Sequence, residues 1–202
     1  MLDNTVRRWI DPAINHVGRK LADAGVHANS VTLFGFVTGA LAALAISFQH
    51  YTIGLVLLLI SRLADGLDGA VARADRKTDL GGFLDITLDF VFYGLIPLAF
   101  IFADPAANAM AGAVLIFAFY ATGASFLAFA LMAEKRGVDD EQRGPKSLVY
   151  TTGLAEATET IAVFVAFCLF PQWFAVIAWG FAALCLVTVV SRIWLAVQTF
   201  SD

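Results

Sequence analysis

Hydrophobic residues run through this chain in six long blocks, at about 31–49, 51–72, 80–102, 107–133, 149–170 and 173–197, with short polar breaks between them. Each block approaches the roughly 20 residues that cross a bilayer as a helix. The pattern therefore predicts an all-α integral membrane fold with six transmembrane helices. The breaks are Gln49-His50-Tyr51-Thr52, the loop around Arg76-Lys77, Ala103-Asp104-Pro105, the charged stretch Glu134 to Pro145, and Pro171-Gln172. So little chain separates the spans that residues 1–202 are expected to form a single domain, a bundle over about 31–197. The first 25 residues follow a different pattern. Ile14, Val17 and Leu21 recur on one helical face while Arg19, Lys20 and Asp23 lie elsewhere, which predicts an amphipathic interfacial helix on the membrane surface. Asp11 before Pro12 reads as its N-cap with proline at the first helical position, and Gly25 as its end. The first hydrophobic block lies behind charged residues without a small-residue cleavage signal, so it reads as a retained span rather than a signal peptide.

Composition agrees with that class: 59% of residues are hydrophobic, only 15% are charged, and the mean hydropathy is +0.77. Trp9, Trp173 and Trp194 are candidate interfacial anchors. Cys168 and Cys185 lie in apolar segments and form no metal or disulfide pattern, which makes them core residues. His16, His27 and His50 are scattered, and the chain holds no P-loop, dinucleotide fingerprint or nucleic-acid motif. The positive charges are one-sided. Arg7, Arg8, Arg19 and Lys20 precede the first span, Arg73, Arg76 and Lys77 follow the second, and Lys135, Arg136, Arg143 and Lys146 follow the fourth. The positive-inside rule then places both termini and both basic loops in the cytoplasm.

Against this apolar background stand four aspartates, Asp65 and Asp68 in the second block and Asp85 and Asp89 in the third. A charged side chain at the bilayer centre costs roughly 2.5–3.5 kcal/mol on insertion scales, so four carboxylates need a reason to be there. Hard divalent cations supply one, because they bind through clustered carboxylate oxygens. Asp65, Asp68 and Ala72 share one helical face, and Gly81, Asp85 and Asp89 recur at spacings of four on the next helix. The short loop between the helices predicts an antiparallel pair with its carboxylates facing one another near the cytoplasmic ends. Gly66 and Gly69 remove bulk beside them, and Arg73 stands one turn beyond Gly69, placed for a phosphate or a base. Structural ion pairs with Arg62 and Arg73, or a cation pathway, are the competing readings of an isolated carboxylate pair.

The run from Asp65 to Asp89, with Gly69, Ala72, Arg73 and Gly81 at fixed spacing, resembles the signature of the CDP-alcohol phosphotransferase (CDP-alcohol phosphatidyltransferase) family, in particular its short bacterial members. The resemblance implies a homodimer in the bacterial inner membrane with a cytoplasm-facing polar cavity. It implies Mg2+ or Mn2+, as a two-metal site, held by Asp65, Asp68, Asp85 and Asp89, with Asp89 as the proton acceptor. Gly69, Ala72, Arg73 and Thr78, together with Asp65 and Asp68, match positions that hold the cytidine diphosphate. So do Asn29 and Thr32, although a proline that often precedes that Asn is Ala28 here. The implied reaction moves a substituted phosphate from a CDP-linked donor, CDP-diacylglycerol or a soluble CDP-alcohol, to an alcohol acceptor, and releases CMP.

The acceptor is read from fewer residues. Glu156, Glu159 and Thr160 cluster on one face of the fifth span, and Lys146 and Arg192 are the basic candidates near it. An acidic face disfavours a phosphorylated acceptor and points to a neutral or amino alcohol. The alternative is that Glu159 is neutralised by Arg192 or Arg62 for packing alone. Gly35 and Gly39 form a GxxxG that permits close helix packing. The other functions weighed are a cation transporter built on the aspartates and an inactive scaffold of the same family. A transporter gives no reason for Gly69, Ala72, Arg73 and Thr78 to accompany the carboxylates.

Overall fold

A computed structural model describes residues 3–137 and 157–201, with side chains from Asp11 onward. Helix α1 (Asp3–Asp23) leads into α2 (Ala28–Ser47), α3 (Tyr51–Ala74), α4 (Asp79–Ala103) and α5 (Pro105–Lys135). Then come α6 (Ala157–Leu169), a single 3-10 turn at Pro171–Trp173, and α7 (Phe174–Phe200). The fold is all-helical, with no strand among the described residues. Helices α2, α4 and α5 and the stretch Pro171–Phe200 are long and apolar enough to cross a membrane. Helix α3 has the length, 24 residues, but is interrupted by the charges of Arg62, Asp65 and Asp68. Helix α6 is an apolar helix of 13 residues, and the expected beginning of the fifth span lies outside the described residues.

One expected boundary is corrected. Asp11 does not cap α1, and Pro12 lies inside the helix, which begins at Asp3. Proline removes one backbone bond to the preceding turn; on a surface helix, water can take the carbonyl that is left over. The other end follows expectation. Gly25 has φ of +80°, its N–H donates to Ala22 O at 2.9 Å, and Val26 N–H reaches Leu21 O at 3.0 Å. This is a Schellman stop, which favours glycine at its left-handed position.

The main core runs from Phe92, three residues beyond Asp89, towards the far end of the bundle. Phe92, Phe100, Phe164, Phe167 and Phe174 are fully buried there and draw α4, α6 and α7 together. Phe100 stacks on Phe174 at 4.8 Å between centroids, and Phe167 meets Phe174 at 4.6 Å. Cys168 and Cys185 are free thiols buried in this core, as expected. Trp173 and Trp194 are exposed, and the Trp9 side chain lies outside the described residues. At the other end the packing depends on small residues. A Cβ on Gly35 would sit 3.2 Å from Ala64 Cβ, and one on Gly18 of α1 would meet Ala70 Cβ at 2.5 Å and its carbonyl carbon at 3.0 Å. Helices α1 and α2 therefore lie directly against α3 along the stretch that carries the aspartates.

Candidate active site

Thr78 ends the short α3–α4 connection. Its hydroxyl accepts from Gly81 N–H at 3.0 Å, capping α4 and starting it back along α3. That reversal brings Asp85 of α4 opposite Asp65 and Asp68 of α3. One carboxylate oxygen from each of the three lies within 4.8 Å of the others. Burial falls across the group: Asp68 is 5% exposed, Asp65 is intermediate, and Asp85 is open to solvent. The site is therefore sealed at one side and accessible at the other.

The residues fit a divalent cation. Like charges about 5 Å apart repel by roughly 3 kcal/mol at an effective dielectric near 20, so the cluster calls for a counter-charge. Asp68 Oδ2 is buried and has no hydrogen-bond partner, which leaves an acceptor oxygen unsatisfied within the protein.

Asp89, the fourth carboxylate expected in the cluster, is held differently. Its Oδ1 accepts from Arg62 Nη1 at 2.6 Å, and the same nitrogen lies 3.5 Å from Asp65 Oδ1. The ion pairing weighed from sequence thus forms through Arg62, while the Asp68 carboxylate keeps its buried oxygen for another partner. Arg73 Nη2 instead donates to Asn15 Oδ1 of α1 at 3.0 Å. Its Nη1 would lie 3.3 Å from a Cβ on Gly69, so the guanidinium folds back over that glycine.

The residues expected to hold a nucleotide converge on the same end. Asn29 and Thr32 open α2, Ala72 and Arg73 close α3, and Thr78 starts α4. Asn29 Oδ1 would be 2.9 Å from a Cβ on Gly81, so the absence of a side chain there admits the asparagine. Thr32 is buried and its hydroxyl donates to Ala28 O at 3.1 Å.

The acceptor candidates are less gathered. Lys146 and Glu156 lie outside the described residues. Glu159 is half-buried in the first turn of α6, next to buried Thr160. Arg192, 7% exposed, donates from Nη1 to Thr122 O and Ser125 Oγ, both at 2.9 Å, and so clamps α7 to α5. Arg62 and Arg192 are thus engaged with other groups than Glu159. Asn15 and Ser61 were not singled out from the sequence. A partner 58 positions from Arg73 leaves no local spacing to find it.

Comparison with known proteins places this fold. The profile of the CDP-alcohol phosphatidyltransferase family matches residues 25–197. The chain is 49% identical to the inner membrane protein YnjF of Escherichia coli, over 96% of this chain and 94% of that protein. It is 34% identical to the archaetidylinositol phosphate synthase of Pyrococcus horikoshii over 42% of this chain and 45% of that enzyme. The crystal structure of Mycobacterium tuberculosis phosphatidylinositol phosphate synthase (PgsA1) with CDP-DAG bound superposes with a TM-score of 0.64, covering 90% of this chain and 92% of that one at 20% identity. With the fold shared over nearly its whole length and the family profile matched from the end of α1 to α7, this chain belongs to the CDP-alcohol phosphatidyltransferase family.

Proposed function

We propose that this protein is a metal-dependent transferase that moves a substituted phosphate from a CDP-alcohol, in the first instance CDP-diacylglycerol, to an alcohol acceptor and releases CMP. The observation that carries the reading is the cluster of Asp65, Asp68 and Asp85, with a buried, partnerless oxygen on Asp68, at the end of the bundle that also carries Arg73, Thr78 and Asn29. Mg2+ or Mn2+ held by these carboxylates would neutralise charge on the pyrophosphate and orient it. Arg62 engages only Oδ1 of Asp89, so Oδ2 stays open to a second ion or to the acceptor hydroxyl. Arg73 provides a planar donor for phosphate oxygens, and Asn15 sets its direction. Asp89 takes the proton of the acceptor hydroxyl through Oδ2, since Oδ1 is engaged by Arg62. Catalysis of this kind rests chiefly on positioning and electrostatic stabilisation.

On this reading the single domain works as a homodimer in the bacterial inner membrane, with both termini and the site facing the cytoplasm. The one-sided basic residues support that orientation. For the acceptor we favour a neutral or amino alcohol. The acidic pair Glu156 and Glu159 supports this, as does the use of Arg192 in joining α5 to α7.

The test is CMP release by the purified protein with Mg2+ and CDP-diacylglycerol, offered serine, ethanolamine, glycerol, inositol, glycerol phosphate and inositol phosphate in turn. Turnover with serine, ethanolamine, glycerol or inositol, lost in Asp89→Asn while nucleotide still binds, is the expected result. Preference for a phosphorylated alcohol would overturn the acceptor reading. No turnover with these or with soluble CDP-alcohols and diacylglycerol would favour an inactive scaffold.

Asn15→Ala gives a finer check. Losing one hydrogen bond to Arg73 is worth about 1 kcal/mol, so the KM for donor should rise roughly fivefold with kcat little changed. An unaltered KM would make the contact one of packing alone.

A further inference from the structure

On the outer surface of the bundle, α1, the α1–α2 link, α2 and α3 enclose an apolar corner of about 390 Å3. Leu21 and Val26 form one wall, Phe34 of α2 a second, and Leu63 and Leu67 of α3 the floor. The close contact of Gly35 with Ala64 shuts the corner where α2 meets α3. Leu63 and Leu67 stand about 160° and 200° round α3 from Asp65, so the corner backs onto the candidate site and is no part of it. Phe34 and Leu63 are exposed and open the corner towards the hydrocarbon. Its mouth is polar. Ser30 lines it and is exposed. His27, the N-cap of α2, supplies no side-chain cap, and an uncapped helix N-terminus attracts an anion. The last turns of α1 carry Arg19, Lys20 and Asp23, all exposed, two cations against one carboxylate. An apolar hollow with a cationic mouth matches an acyl chain below its phosphate.

We propose that this corner holds one acyl chain of an anionic phospholipid that is not a substrate, with its phosphate at Ser30 and Lys20, and that this lipid keeps α1 seated on α3. An empty apolar hollow forfeits dispersion contacts along its lining, and a chain from the surrounding bilayer restores them. The volume lies near the small end of the range for ligand pockets, which fits a single chain. Basic residues at the membrane surface favour anionic headgroups. Lipid elsewhere on the bundle meets one open face; here three helices bound the chain and the mouth holds the phosphate, so exchange is slow. The helix so held rests Gly18 on Ala70 and aims Asn15 at Arg73, which links its seating to the end of α3 that carries the aspartates.

Lipid retained by the full-length protein tests this without any turnover. The protein is reconstituted in nanodiscs of phosphatidylglycerol and phosphatidylethanolamine in equal parts, moved to detergent, and its bound lipid counted by native mass spectrometry. Wild type should keep one phosphatidylglycerol per chain more than Leu63→Trp, whose indole fills the corner. Val190→Trp, at an exposed position of α7, should keep the wild-type count. Lys20→Glu should lower the preference for phosphatidylglycerol by about threefold or more. Equal counts for wild type and Leu63→Trp would overturn the proposal, as would an unchanged preference in Lys20→Glu. If Leu63→Trp does not fold, Phe34→Trp on the facing wall repeats the test. Displacement of the retained lipid by added CDP-diacylglycerol would assign the corner to the donor and overturn the proposal, while leaving the transferase reading in place.

Discussion

Asp68→Asn should reduce CMP release by about 1,000-fold or more and abolish Mn2+ binding, while the protein remains folded. Asp68 is the most buried member of the cluster at 5% exposure, and its Oδ2 has no hydrogen-bond partner. Asparagine fills the same volume, so packing against α2 is kept. What changes is the charge and one acceptor oxygen. Electrostatic stabilisation by a bound ion is worth several kcal/mol, and about 4 kcal/mol corresponds to three orders of magnitude in rate. The neutral side chain also relieves repulsion with Asp65 and Asp85, so thermal stability without metal should be equal to or above that of wild type. Added Mn2+ should raise the melting temperature of wild type but not of the variant. Activity within tenfold of wild type, with Mn2+ still bound, would remove Asp68 from the site.

Gly39→Val should lower both stability and activity, the latter at least tenfold. Its Cβ would come within 2.6 and 2.9 Å of two Phe92 ring carbons and 2.9 Å of Ser61 Oγ. Phe92 is fully buried and meets Phe164 edge-on at 6.0 Å, so the ring has no open space to move into. Overpacking of this kind costs about 1–3 kcal/mol. Because the Arg62 guanidinium carbon stands 3.7 Å above the centroid of the same ring, and Arg62 holds Asp89 Oδ1, the strain reaches Asp89 as well as the fold. Gly94→Ala is the control, since nothing lies within 4 Å of the added Cβ. A thermal midpoint and a turnover rate measured for both variants separate local crowding from a general intolerance of larger residues.

How far the sequence foretold this arrangement depends on the distance over which each feature is determined. Helix ends set by local chemistry were legible: Gly25 stops α1 through its left-handed φ, and the α2, α3, α4 and α7 boundaries fall within three residues of the hydrophobic blocks. The facing of Asp85 to Asp65 and Asp68 also followed, because a short loop joining two helices leaves them antiparallel. The start of α1 did not, since Asp11-Pro12 carries the same local signal whether it opens a helix or sits within one that water can support. Partners across helices were least legible. Periodicity shows which face Arg192 lies on, yet only the packed structure shows that it bonds to Thr122 and Ser125 rather than to Glu159. Likewise, an Arg three residues before an Asp gives no sign that its closer contact will be Asp89, 27 positions on.

The length of α5 has a consequence for the level at which the chemistry takes place. Its 31 residues make a rod of about 46 Å at 1.5 Å per residue, against a hydrocarbon layer of about 30 Å. Even at a tilt of about 20° it overshoots that layer by more than 10 Å. At its C-terminal end Arg136 Nη2 donates to Phe200 O at 2.9 Å, tying the last turns of α5 and α7 into a short pillar. Helices alternate in direction, so this pillar rises at the same end as Asp85 and Thr78. On the proposed reaction, a donor can leave its acyl tails among the lipids while its pyrophosphate sits at headgroup height beside the pillar. No lipid then has to be lifted out of the bilayer for a water-soluble alcohol to meet it.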